Sequence, residues 1–187
     1  MTFKSLILIM LGGILVNNYV FESYLGVSPF LGYSGKAGKT LRMGLAVTVV
    51  MLLTAVIAWP VRTLVLEKLG LGYMQVLIFT AIVLLVAYLG ELALRRTKLG
   101  SFGALFPLTV LNSAVLGLAV NNAAEGYGFL EALLSALGAG LGFTLGMLAF
   151  SGVLSRIDTA HVPKAFRGLP VSMLAAAIIS MALLAFK

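Results

Sequence analysis

The sequence predicts an all-α membrane protein: six transmembrane segments in two inverted three-helix repeats, with the first and fourth helices broken. Three observations carry this. Hydrophobic residues make up 61% of the 187-residue chain and charged residues 10%, against about 25% charged in a soluble domain. Apolar runs of roughly 20 residues recur throughout, the length a helix needs to cross ~30 Å of hydrocarbon. Two distant stretches also resemble one another: GLAVTVVMLL (Gly44–Leu53) matches GLGFTLGMLA (Gly140–Ala149) at five of ten positions.

The first segment spans about residues 5–32. That is too long for one crossing, and Gly12-Gly13, Asn17-Asn18 and Ser28-Pro29 interrupt it. The lysine and short apolar run at its start suggest a signal peptide, but the apolar sequence continues and no clear A-x-A-like cleavage site follows, so it is read as retained. Residues 43–60 and 74–94 are uninterrupted spans. The segment 102–120 is broken by Pro107 and by Asn112-Ser113. Spans 130–154 and 170–186 complete the set. The whole chain, 1–187, is a single membrane domain, with repeat one at about 5–94 and repeat two at about 102–186.

One unit is therefore broken helix, span, span. Three crossings is an odd number, so the second unit enters from the opposite face, and a pseudo-two-fold axis lies in the membrane plane. LGVSPFLG (Leu25–Gly32) and LNSAVLG (Leu111–Gly117) then place Ser28 and Ser113 in equivalent positions. Broken segments can expose backbone at membrane depth only where protein or a cavity covers it. The two serines are expected to face each other, or a shared object, near the midplane.

Charge sets the orientation. Nine basic residues fall in the loops 33–42, 95–101 and 155–169, and four (Lys4, Arg62, Lys68, Lys187) on the other side. The positive-inside rule puts the nine in the cytoplasm and both termini outside. The formal charge of +7 is thus a matter of topology and not of nucleic-acid binding.

Asn17, Asn18 and Asn112 beside the breaks either orient an ion or satisfy backbone groups that a bend frees. Glu22 is a carboxylate near the bilayer and so an ion-path candidate. Glu91 pairs with Arg95 at i+4 as a surface pair. Gly138, Gly142 and Gly146 form a small-residue stripe for close helix contact. His161 lies in a loop. There are no cysteines, so neither a disulfide nor a thiolate-held metal belongs to this chain alone. No catalytic triad, P-loop or dinucleotide fingerprint is present.

NNYVFESYLGVSPFLG, FPLTVLNSAVLG and HVPKAFRG resemble the three signature stretches of the RnfA/NqrE membrane subunits, over a resemblance running from about residue 15 to the C-terminus. The resemblance implies a subunit of a bacterial or archaeal inner-membrane complex. That complex couples electron transfer between ferredoxin or NADH and a second carrier to Na⁺ or H⁺ translocation. It implies a sister subunit of the RnfE/NqrD type with opposite topology, and a shared [2Fe–2S] cluster held by two cysteines from each chain. Those cysteine positions fall here on Ser28 and Ser113, which makes these two the metal- and cofactor-site candidates. A hydroxyl is a far poorer iron ligand than a thiolate. Two rival readings remain: a stand-alone secondary transporter, which inverted repeats with broken helices also build, or a structural subunit whose serines mark a lost site.

Overall fold

A computed structural model describes residues 3–16, 19, 25, 37–96, 112–157 and 162–184. Every regular element among them is helical. Helix α1 (Phe3–Leu11) runs into a π-helical turn (Gly12–Val16). Helix α2 (Ala37–Val61) continues through a second π turn (Arg62–Leu66) into the short α3 (Glu67–Leu69). Helix α4 (Gln75–Arg96) follows a 3₁₀ turn, then α5 (Ser113–Ala124), α6 (Phe129–Arg156) and α7 (Leu169–Leu184).

Three helical stretches are long and apolar enough to cross a membrane: Thr40–Leu69, Gly72–Gly90 and Phe129–Arg156. They match the expected spans 43–60, 74–94 and 130–154. The 28 residues of α6 measure about 42 Å at 1.5 Å per residue, so this helix outruns the hydrocarbon. Ser113–Ala124 and Leu169–Ala182 are apolar but shorter.

The first difference from the sequence reading comes at Pro60. The sequence reading places residues 61–73 between spans, and a proline inside a helix deprives it of one backbone donor. Here the helix carries Pro60 inside it and absorbs the defect by switching to π spacing over Arg62–Leu66. It ends only at Gly70, whose φ of +65° is the left-handed geometry that glycine adopts without steric cost. The Leu71 N–H then closes on the Leu66 carbonyl at 3.0 Å.

The core forms where α2 crosses α6. The two run antiparallel: Thr40 Oγ1 donates to Ser151 Oγ at 3.5 Å, and the hydroxyls of Thr48 and Thr144 stand 3.4 Å apart. The contact is reciprocal. A Cβ on Gly44 would lie 2.6 Å from Thr144 Oγ1, and one on Gly140 would lie 2.6 Å from Thr48 Cγ2. Each threonine also donates to the carbonyl one turn back, Thr48 to Gly44 and Thr144 to Gly140, both at 2.9 Å. No hydroxyl there is left unpaired. Met43, Val47, Met51, Phe143, Met147 and Phe150 fill the space around the crossing.

A second face of α6 is just as close-packed. Gly138 meets the Met10 carbonyl, and a Cβ on Gly142 would lie 2.6 Å from the Gly13 carbonyl. The π turn after α1 therefore lies backbone to backbone on α6, which only hydrogen side chains permit. Gly138 and Gly142 act as the stripe expected of them. Gly12 has open space around it.

These contacts rank the glycines. Gly44→Ala overfills the α2–α6 crossing and costs about 1–3 kcal/mol. Gly138→Ala costs at least as much, because the obstacle is backbone. Gly12→Ala is expected to be neutral. Thermal unfolding of the purified variants in one detergent checks the order: Gly12→Ala should match the parent and the other two should melt several degrees lower.

Candidate functional site

The start of α5 is built by Asn112. Its backbone is extended, with φ −91° and ψ 121°, and its Oδ1 accepts the Ala114 N–H at 3.0 Å. Its carbonyl accepts the Val115 N–H at 3.0 Å. The first N–H groups of a helix lack partners within it, and a short amide at the N-cap supplies one. Of the two readings of Asn112, ion ligand or partner for freed backbone, its oxygen is engaged in the second. Capping also turns the other end of the amide away from the helix. That Nδ2 is buried and finds no acceptor among the described residues.

One residue on, the environment changes. Ser113 is exposed and lines a groove of about 680 Å³ that follows one face of α5. Gly117, Asn121 and Glu125 share the groove with it, and their i+4 spacing puts all four on that face. The opposite wall includes Tyr19 and Leu25 from the first segment. Asn121 Nδ2 donates to Tyr19 Oη at 3.1 Å, and a Cβ on Gly117 would lie 2.5 Å from Leu25 Cδ1. Parts of the first and fourth segments are thus in contact beside Ser113. Ser28, Glu22, Asn17, Asn18 and His161 lie outside the described residues, as do the side chains of Glu91 and Arg95.

Sequence reading missed a polar cluster between α2, α5 and α6. Asn122 is buried: its Oδ1 accepts the Ser135 hydroxyl at 2.7 Å and its Nδ2 donates to the Ala132 carbonyl at 3.4 Å. Its own carbonyl takes Arg62 Nη1 at 3.4 Å and the Tyr127 N–H at 3.1 Å. Arg62 Nε pairs with Glu67 Oε1 at 2.9 Å. A cavity of about 20 Å³ opens between Trp59, Arg62, Asn122 and Tyr127, room for about one water molecule. Trp59 meets the Phe129 ring edge-on at 5.4 Å. The available signal was the Asn121-Asn122 pair inside an apolar run. Arg62, with the look of a loop charge, gave none.

Beyond this cluster, Tyr127 sits in the short turn between α5 and α6. Burial first, and then the negative charges of Glu125 and Glu131, push its phenol above the usual 10.0. Glu131 holds that turn by accepting the Gly128 N–H at 2.9 Å. Among the described residues no three His, Cys, Asp or Glu side chains come together as a metal site.

Known proteins match this chain almost end to end. Residues 6–187 match the family model described as Rnf-Nqr subunit, membrane protein. The A-type subunit of the ion-translocating oxidoreductase complex of Syntrophotalea carbinolica is 39% identical over 98% of this chain and 96% of its own length. The A-type subunit of the Na⁺-translocating ferredoxin:NAD⁺ oxidoreductase complex of Acetobacterium woodii is also 39% identical, over 98% and 97%. The corresponding ion-translocating complex of Edwardsiella ictaluri has an A-type subunit 37% identical over 97% and 95%.

Ser135→Ala strands the Asn122 oxygen without its donor and costs about 1–3 kcal/mol, whereas Asn112→Ala removes a cap worth about 1 kcal/mol; chemical unfolding of each variant measures both. For Tyr127, the raised phenol keeps its proton in the folded state after the unfolded chain has lost it. Its stabilising effect is therefore complete below the unfolded value and lost as pH rises through the higher folded one. An ultraviolet difference titration of parent against Tyr127→Phe should place its midpoint above 10.0. Glu125→Gln with Glu131→Gln should lower that midpoint only in part, because burial is the larger cause.

Proposed function

We propose that this chain, which belongs to the Rnf-Nqr family of membrane subunits, is the A-type subunit of an ion-translocating oxidoreductase complex. The observation that carries the reading is similarity at 39% identity across nearly the full length of both chains. The complex moves Na⁺ or H⁺ across the inner membrane as electrons pass between ferredoxin or NADH and a second carrier. The flavin and remaining iron–sulfur chemistry belongs to partner subunits.

Within that complex the chain is a six-segment inverted repeat, its units at about 5–94 and 102–186 and both termini outside. The reciprocal contacts of Gly44 with Thr144 and Gly140 with Thr48 support this, since equivalent stretches meeting antiparallel is what a two-fold axis in the membrane plane requires. Its partner is a sister subunit of opposite topology, and the groove beside Ser113 is the face toward it. Ser28 and Ser113 form this chain's half of the mid-membrane site, and Glu22, Asn17 and Asn18 border the ion path.

The donors present do not fit a [2Fe–2S] cluster. The chain offers no thiolate, Ser113 brings an aliphatic hydroxyl, and no carboxylate or imidazole group gathers as a substitute among the described residues. No electron-transfer step is therefore assigned to side chains of this subunit.

Two measurements test the reading. The tagged chain should co-purify with other subunits of the complex and, reconstituted alone in liposomes, should show no ion-dependent uptake; uptake by the isolated chain would establish the transporter instead. Iron assay and EPR on the chain with its sister subunit should show more iron after Ser28→Cys with Ser113→Cys than before. A full cluster in the unaltered pair would overturn the argument from ligand chemistry.

A further inference from the structure

The two longest helices carry the same pattern on their outer faces. On α2, Leu45, Val49, Leu53 and Val56 are exposed, and Arg42 lies at the head of that row. Spacings of three and four residues make these one stripe, about 21 Å long from Arg42 to Val56. On α6, Leu141, Leu145, Ala149 and Val153 form a matching stripe that ends in exposed Arg156.

The antiparallel crossing brings these two arginines to one end of the molecule, since Thr40 lies against Ser151. Neither guanidinium has a hydrogen-bond or ion-pair partner among the described residues. The described carboxylate side chains lie toward the other end, where Trp59 meets Phe129: Glu67 beyond α2 with Arg62 and Lys68, Glu125 at the end of α5, and Glu131 in the first turn of α6. Exposed Lys164 and Arg167 in the approach to α7 add to the basic end, with Phe166, Met173 and Leu174 exposed beside and beyond them.

We propose that Arg42 and Arg156 are binding sites for anionic phospholipids, each guanidinium holding a headgroup phosphate while the acyl chains lie along the aliphatic stripe on the same helix. The two parts of the pattern select this occupant. A guanidinium donates bidentately to phosphate oxygens. The row from Arg42 to Val56 is longer than the ~15 Å half-thickness of a bilayer core, so the acyl chains of a lipid held at the arginine meet aliphatic side chains along their whole length. An acidic protein surface would satisfy the arginines alone and leave the stripe bare. At the opposite end Arg62 is held by Glu67, and Glu125 and Glu131 offset Lys68, so that end offers an anionic headgroup no comparable pair of unpaired guanidiniums. A basic side chain near the membrane surface favours an anionic lipid by about fivefold.

The test is native mass spectrometry of the full-length purified chain, titrated with phosphatidylglycerol and phosphatidylcholine carrying identical acyl chains. Phosphatidylglycerol adducts should outlast phosphatidylcholine adducts by about fivefold per arginine, and excess inorganic phosphate should not displace them. Arg42→Gln with Arg156→Gln should make the two lipids equal, Arg42→Lys should keep part of the preference, and Lys68→Gln at the opposite end should leave it intact. A melting temperature for each variant separates lost binding from lost fold. Equal retention of the two lipids by the parent chain, or a preference that survives the double substitution in a folded protein, overturns the proposal. Displacement by inorganic phosphate would do the same by showing a simple anion site, as would protection of these arginines only by an acidic partner subunit.

Discussion

The crossing of α2 and α6 at Gly44, Thr48, Gly140 and Thr144 is the constraint on which the other packing depends. In lipid there is no hydrophobic gain from bringing two apolar helices together, so close van der Waals contact has to supply the attraction. The glycines allow that contact: each admits the threonine of the opposite helix to a distance at which a methyl group would overlap it. The threonines keep the contact dry without cost, because each hydroxyl donates to its own helix one turn back. With this pair fixed, α6 presents its second glycine face to α1 and the π turn, and α2 presents its far side to α4 and α5.

The start of α5 shows how an apolar chain satisfies the first donors of a helix. A helix that starts inside protein leaves donors that water cannot reach, and Asn112 supplies an acceptor to one of them from its own side chain. The result separates two neighbours sharply. Asn112 is buried and committed to the backbone, whereas Ser113 faces an open groove. Sequence reading leaves two uses open for the asparagines, orienting an ion or satisfying freed backbone groups. For Asn112 the geometry decides for the second.

The Arg62 cluster was not legible for a specific reason. A proline with an arginine two residues on reads as the end of a span, because the missing donor and the charge both suggest water. The π turn after Pro60 reverses that inference by carrying the helix onward. It brings Arg62 to the Asn122 carbonyl, while Glu67, one turn further on, balances the charge. Asn122 and Ser135 are 13 residues apart on different helices, and no periodic pattern within either helix marks them as partners.

What the sequence by itself determined is whatever depends on local composition and spacing. Membrane embedding follows from apolar runs of bilayer length, the α2, α4 and α6 spans from the same runs, and family membership from long ordered motifs. Even the likeness of GLAVT and GLGFT was visible. What the tertiary structure decided is which of the 21 glycines matter, and that Gly44 meets Thr144 and not its own equivalent. It also decided that Ser113 opens onto a groove walled by Tyr19 and Leu25. The physical reason is that periodicity fixes a residue's face on its own helix. The contact it makes depends on the rotation, depth and crossing of a helix some 100 residues away, and only close packing sets those.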